Sequence, residues 1–164
     1  FAGSSLINEL LCQKEEVIGI SRSKEKENCV LTYSDNPLRK KLFTFFSLDL
    51  NNNFDEICGL IKKFKPKFIV DFAAQSMVGQ SWTFPEDWYN TNLVSLSSLI
   101  NKIKDFDHLE RFVSITTPEV YGSTDGWVKE NFNFSPSTPY AISRAAQDLH
   151  LKAYFDNFNF PIAM

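Results

Sequence analysis

Hydrophobic and polar positions switch between two periods along the chain. Over residues 4–11, Leu6, Ile7, Leu10 and Leu11 recur at helical spacing behind Gly3. The short apolar run Val17-Ile18-Gly19-Ile20 reads as a buried strand. Residues 28–41 are polar and irregular, with a turn signal at Ser34-Asp35-Asn36-Pro37. A strand is predicted over 42–50. A helix is predicted over 54–64, where Phe54, Ile57, Leu60, Ile61 and Phe64 form one apolar stripe. Another strand over 67–72 runs into the small residues Ala73 and Ala74. Residues 81–88 read as a loop or short turn whose tryptophans, Trp82 and Trp88, fill core space. A long helix runs from Tyr89 to about Lys104, with Leu93, Leu96, Leu99, Ile100 and Ile103 on one side. Arg111-Phe112-Val113-Ser114-Ile115 is the next buried strand. After a loop over 124–133, Ser137-Thr138-Pro139-Tyr140 opens the last helix with a hydroxyl cap and a first-turn proline. Ala141, Ala145, Leu149 and Ala153 are expected along one face of it. Residues 160–164 read as a strand beginning. Strands alternating with helices predict an α/β fold with a parallel sheet.

The totals narrow the function classes. A length of 164 residues fits one domain at most. Sixteen phenylalanines support a packed core and argue against disorder. A net charge of −3 leaves no basic patch, which argues against nucleic acid as a partner. No apolar run approaches the roughly 18 residues of a membrane helix, so no membrane partner is expected. Cys12, Cys29 and Cys58 are an odd set without C-x-x-C spacing, expected to be reduced and partly buried in a cytoplasmic protein. His108 and His150 are the only histidines, and no Cys/His cluster suggests a metal. The chain starts without Met and stops as a strand begins, so it reads as a piece of a longer enzyme.

Two stretches carry candidate chemistry. Thr116-Thr117-Pro118-Glu119-Val120-Tyr121-Gly122 follows the strand at 111–115, and Tyr140-Ala141-Ile142-Ser143-Arg144 opens the last helix. If strand end and helix start face each other, Thr117, Glu119 and Tyr140 share a pocket. A hydroxyl, a carboxyl and a phenol together can bind, polarise and move protons at a sugar alcohol. Arg144, one turn after Tyr140, shares its helix face, and its charge would favour the phenolate.

These stretches resemble the extended short-chain dehydrogenase/reductase family in its nucleotide-sugar 4,6-dehydratase branch. Members carry Ser/Thr-Thr-x-Glu-x-Tyr/Phe-Gly after a central strand, then Tyr-x-x-x-Lys on the next helix. This chain has arginine at 144 and proline at 118, where many members have lysine and aspartate or serine. The resemblance implies a doubly wound parallel sheet, the Rossmann fold. It implies one partial NAD(P)-binding domain over 1–164, without its first strand and without the C-terminal domain that reads the nucleotide sugar.

The implied cofactor is NAD or NADP. Phe1 and Gly3 are then the end of the phosphate-binding loop, with the pyrophosphate at the helix head. Ser21-Arg22-Ser23 follows the strand that ends beside the adenosine ribose. Arg22 there suits a 2′-phosphate and points to NADP; the other reading is a solvated polar turn. Asp49 and Leu50 lie against the adenine, or Asp49 caps the next segment. Phe72, Ala73 and Ala74 let the flat dinucleotide approach the backbone, or simply pack the strand end. Gln75 and Ser76 face the substrate, with Met77 where the family often has histidine. Asn92 stands where the family places an asparagine that supports the site. In the implied mechanism Tyr140 removes the proton of the sugar 4-hydroxyl while hydride passes to the nicotinamide. Thr117 orients that oxygen, Arg144 binds the nicotinamide ribose and acidifies Tyr140, and Glu119 takes the C5 proton before water leaves C6. The partners implied are a nucleotide sugar and a second subunit, docked through helices 89–104 and 140–156. A nucleotide-sugar epimerase or reductase on the same scaffold, and a non-catalytic NAD(P)-binding relative, are the alternatives.

Overall fold

A computed structural model describes residues 1–164. The chain divides into two compact units, Phe1–Asn53 and Phe54–Met164.

The first unit opens with helix α1 (Ala2–Cys12), whose apolar residues end on the fully buried Leu11. Strand β1 (Val17–Ser21) pairs in parallel with β2 (Phe43–Ser47), placing Ser21 opposite Ser47. Gly19 lies so close to Phe43 that a β-carbon would meet its ring at 2.9 Å. Residues 28–41, expected to be irregular, hold a short 3-10 turn and most of the one-turn helix α2 (Arg39–Leu42), whose last residue was expected in the strand. The expected strand over 42–50 ends at Ser47, because Asp49 turns the chain. Its carboxylate accepts from Asn51 N at 2.9 Å and from Asn52 Nδ2 at 2.9 Å, and its carbonyl from Asn53 N at 2.7 Å.

The second unit begins with α3 (Phe54–Phe64), which buries Ile57, Cys58 and Ile61. Strands β3 (Phe68–Asp71), β4 (Arg111–Ser114) and β5 (Ile162–Ala163) form a parallel sheet in that order, with Asp71 opposite Ser114. Between β3 and β4 lies a single helical run: α4 (Pro85–Tyr89), a π turn (Asn90–Ser95) and α5 (Leu96–Ile103). The expected helix from Tyr89 thus starts earlier, because Pro85 is pre-set for the first turn, and it widens in the middle. Trp88 is buried, whereas Trp82, also expected in the core, is 64% exposed on a 3-10 turn (Gly79–Trp82). Helix α6 (Pro139–Phe158) starts as the sequence predicts: Thr138 Oγ1 accepts from Ala141 N at 3.1 Å.

The buried face of α6 differs from the expected one. Ala141 and Ala145 are buried, but Leu149 is 47% exposed and Ala153 is exposed too. The face that turns inward carries Tyr140, Ser143, Arg144, Gln147 and Asp148. Polar side chains with partners across the fold share that face with Ala141, Ala145 and Leu151, while Leu149 and Ala153 lie outside.

The strand orders β2-β1 and β3-β4-β5 each match a run within the doubly wound order 3-2-1-4-5-6. The parallel α/β architecture is the one expected. Of the cysteines, all free, only Cys58 is buried; Cys12 and Cys29 are exposed rather than partly buried. No helix is long and apolar enough to cross a membrane.

Candidate active site

In the second unit, parallel strands bring their carboxyl ends to one edge. The segments after β3 and β4 therefore both emerge there, and ligands of open α/β sheets bind at such an edge. Helix α6 precedes β5, which runs parallel to β4, so the start of α6 returns to the same edge. Ala73-Ala74-Gln75-Ser76, Thr117-Pro118-Glu119 and Tyr140 are gathered by this topology. Phe72, Ala73 and Ser76 are exposed, and Ala74 and Gln75 half-buried.

The loop after β3 is held from two sides. Ala73 N donates to Asp71 Oδ1 at 2.9 Å. Gln75 N donates to Asn92 Oδ1 at 2.8 Å, and Asn92 Nδ2 donates to Gln75 O at 3.0 Å and to Ser143 Oγ at 2.9 Å. Asn92 is 1% exposed and sits in the π turn, an irregularity common at functional sites. Ser143 Oγ in turn donates to Tyr140 O at 2.7 Å. Tyr140 N donates to Ser81 Oγ at 3.2 Å, and Ser81 Oγ to Val78 O at 2.6 Å. The backbone that carries Tyr140 is thus anchored on two buried serines.

Beyond β4, Thr117 caps a 3-10 turn (Pro118–Tyr121), its Oγ1 accepting from Glu119 N at 3.3 Å. Thr117 is half-buried and Glu119 exposed. Gly122 closes the turn at φ +68°, and a β-carbon there would stand 2.1 Å from Ser135 O. The Tyr121 hydroxyl exchanges hydrogen bonds of 3.1 Å with the backbone N–H and carbonyl of Asn131, tying down the following loop.

Arg144 is buried, and its guanidinium donates to Ile115 O. Asp148 accepts from Thr116 Oγ1, and Gln147 Nε2 donates to Ser114 Oγ at 2.7 Å. The charge of Arg144 acts on two acids, Asp71 and Asp148. Loss of solvent nevertheless dominates at both. It pushes the Asp71 carboxyl up to about 6 against the opposing pull of Ala73 N–H and Arg144. It raises Asp148 against Thr116 and Arg144. Asp71, Ser81, Ser114, Thr116, Gln147 and Asp148 were not singled out from the sequence. A signal exists for Gln147 and Asp148: positions 140, 143, 144, 147 and 148 form a polar stripe at helical spacing.

In the first unit, Gly3 lies in the first turn of α1, and Ser4 Oγ accepts from Thr32 N at 2.8 Å. Phe1, Ser21, Arg22 and Ser23 are exposed. The Asp49 carboxylate serves the turn, as its capping reading expects, while Leu50 is half-buried. Nearby in this unit, Tyr33 OH donates to Glu25 Oε1 at 2.8 Å and Arg39 pairs with the same oxygen at 2.9 Å. Burial and Glu25 push the Tyr33 phenol up to about 12.

Comparison with known proteins decides the family. The sequence model described as GDP-mannose 4,6 dehydratase matches residues 1–164. The chain belongs to the GDP-mannose 4,6-dehydratase family. This family chain is 27% identical over 180 residues to the dTDP-glucose 4,6-dehydratase of Haemophilus influenzae, covering 99% of the chain and 51% of the relative. A dTDP-glucose 4,6-dehydratase from Streptomyces venezuelae, solved with NAD bound, superposes with a TM-score of 0.79 at 26% identity, over 98% of this chain and 50% of that one. A UDP-glucuronic acid 4-epimerase from Bacillus cereus, in complex with UDP-4-deoxy-4-fluoro-glucuronic acid and NAD, gives 0.82 at 25% identity, over 99% and 51%. The family chain thus spans about half the length of these relatives. The match puts it in the extended short-chain dehydrogenase/reductase nucleotide-sugar family, with that family's Rossmann-type domain. Both solved relatives carry NAD, and the NADP preference expected from Arg22 finds no support in them.

Proposed function

We propose that this chain is the dinucleotide-binding part of a nucleotide-sugar 4,6-dehydratase. The carrying observation is Glu119: a free-standing carboxylate beside Thr117, at the same sheet edge as Tyr140. A sugar oxidised at C4 has an acidified C5–H, and Glu119 suits the base that removes it. Epimerisation needs no such group.

The residues fit NAD(P). Ala73 and Ala74 present only methyl groups at an exposed strand end, so a flat ring can approach the backbone. Gly3 at the head of α1 leaves backbone N–H groups open to a phosphate. Arg22 suits a 2′-phosphate, and comparing NAD+ with NADP+ affinity tests that assignment. Bound NAD(P) supplies the hydride acceptor and donor. The protein does the rest. Tyr140 takes the 4-hydroxyl proton, Thr117 donates to that oxygen, and Glu119 moves the C5 proton toward the departing 6-hydroxyl. Arg144 keeps a positive charge one helical turn after Tyr140, its guanidinium donating to Ile115 O. Gln75 and Ser76 supply polar contacts to the sugar.

The 4-epimerase reading is favoured by one observation, Pro118, which cannot protonate a leaving hydroxyl. Incubating the full-length protein with GDP-mannose, dTDP-glucose and UDP-N-acetylglucosamine, each with NAD+ or NADP+, separates the two. A product lighter by one water supports dehydration; an isomer of unchanged mass overturns it in favour of epimerisation. No conversion of any of them leaves a binding relative without chemistry. We further assign the enzyme to the cytoplasm, where exposed thiols stay reduced, and to a homodimer. Ile142 and Leu149 on α6 and Val94 on the preceding helix are exposed apolar groups suited to the second subunit. Sedimentation of the full-length protein checks the dimer.

A further inference from the structure

Three consecutive residues at the end of β4 each take one polar group from α6. Ser114 Oγ accepts from Gln147 Nε2, Ile115 O from Arg144, and Thr116 Oγ1 donates to Asp148. Ser114, Arg144, Gln147 and Asp148 are all at least 97% buried. This ladder is a costly way to pack a helix. Arg144 Nε, Gln147 Oε1 and Asp148 Oδ1 remain buried without a hydrogen-bond partner. Buried polar atoms left unpaired are destabilising, and replacing buried charged groups by apolar side chains of similar volume is often neutral or stabilising.

What the ladder supplies is register. Apolar contacts tolerate sliding along a helix axis, whereas three directional bonds to consecutive residues have one solution. The rungs lie four to eight residues after Tyr140, the farthest of them roughly 12 Å along the helix axis from it. The last rung sits on Thr116, directly before Thr117.

We infer that Thr116 and Asp148 are positioning residues, which lock α6 onto the end of β4 and so hold the Tyr140 phenol in line with the Thr117 hydroxyl. Neither touches the reacting atoms. Their effect reaches the chemistry through the backbone of Thr117 and through the axial setting of Tyr140. The inference rests on Tyr140 and Thr117 acting on one hydroxyl, as in the proposed function.

The test uses the full-length enzyme with Thr116→Val, Thr116→Ser and Asp148→Asn, assayed well below their melting temperatures. Valine keeps the shape and removes the bond, serine keeps the bond, and asparagine keeps an acceptor without the charge. Thr116→Val should lower kcat at least tenfold with KM and dinucleotide affinity within about threefold of wild type. Thr116→Ser should restore kcat to within threefold, and Asp148→Asn should fall between them. A lowered melting temperature with unchanged kcat in Thr116→Val overturns the inference, since it leaves only a structural role. A second readout does not depend on turnover: the 19F resonance of 3-fluorotyrosine at position 140, assigned by its loss in Tyr140→Phe. It should move in Thr116→Val and return in Thr116→Ser. If wild type converts no nucleotide sugar, the proposed function fails, and this resonance alone decides the positioning role; an unmoved line in Thr116→Val overturns it.

Discussion

Asn92 grips both backbone groups of Gln75, accepting from its N–H at 2.8 Å and donating to its carbonyl at 3.0 Å. A side-chain amide thus substitutes for a neighbouring strand at the point where the sheet ends and the loop begins. The same Nδ2 reaches Ser143 on α6, so one buried residue couples the loop, the π turn and the helix of Tyr140. Asn92→Ala strands the Gln75 N–H and carbonyl and the Ser143 hydroxyl. The expected loss is about 2–4 kcal/mol, measured by urea unfolding, with weaker dinucleotide binding as residues 73–76 loosen.

Gly122 follows Tyr121 in a conformation that only glycine adopts freely, φ +68° with ψ −149°. Ser135 O blocks the space where a β-carbon would go, and that carbonyl belongs to the backbone and cannot swing aside. Gly122→Ala should destabilise the fold by on the order of 3–5 kcal/mol. Thermal unfolding reads it directly, and the loop tied to Tyr121 should become the preferred site of proteolysis.

Asp71 makes stability depend on pH in an unusual direction. Its carboxyl rises from 3.8 to about 6 on folding, chiefly by loss of solvent, with Arg144 as the charge that opposes the rise. The folded state therefore holds this proton more tightly than the unfolded chain. The contribution is full below pH 3.8 and is lost as pH rises through 6. Asp71→Asn removes that titration and keeps an acceptor for Ala73 N–H. The variant should match wild type near pH 3.5 and exceed it by roughly 2–3 kcal/mol at pH 7.5. Denaturant titrations at both pH values check the difference.

Glu119 divides the proposed reaction into two halves. Glu119→Gln keeps size and polarity and removes the base. Water loss should fall at least a hundredfold, within the range of general-base contributions. Oxidation at C4, in which bound NAD(P)+ would accept the hydride, does not draw on Glu119, so absorbance of the reduced dinucleotide should still appear on mixing. Loss of that absorbance as well would show that Glu119 serves substrate binding instead.

Much of the architecture was legible in the residue pattern, because helix and strand periods are local. The stripe over 54–64 became α3 with the same ends, and Thr138-Pro139 marked the start of α6 to the residue. Thr117, Glu119 and Tyr140 could be named as candidates from the sequence too, since short motifs sit at fixed distances from strand ends and helix starts. The inward face of α6 was not. Apolar periodicity pointed to Leu149 and Ala153, but burial went to Arg144, Gln147 and Asp148, whose partners lie 29 to 33 residues back in the chain. Likewise Asn92 was a position without a contact until Ser143, 51 residues later, packed against it. Local spacing tells which side chains share a face. Which face turns inward follows from where the polar groups find partners, and those partners meet only when distant strands and helices close on one another.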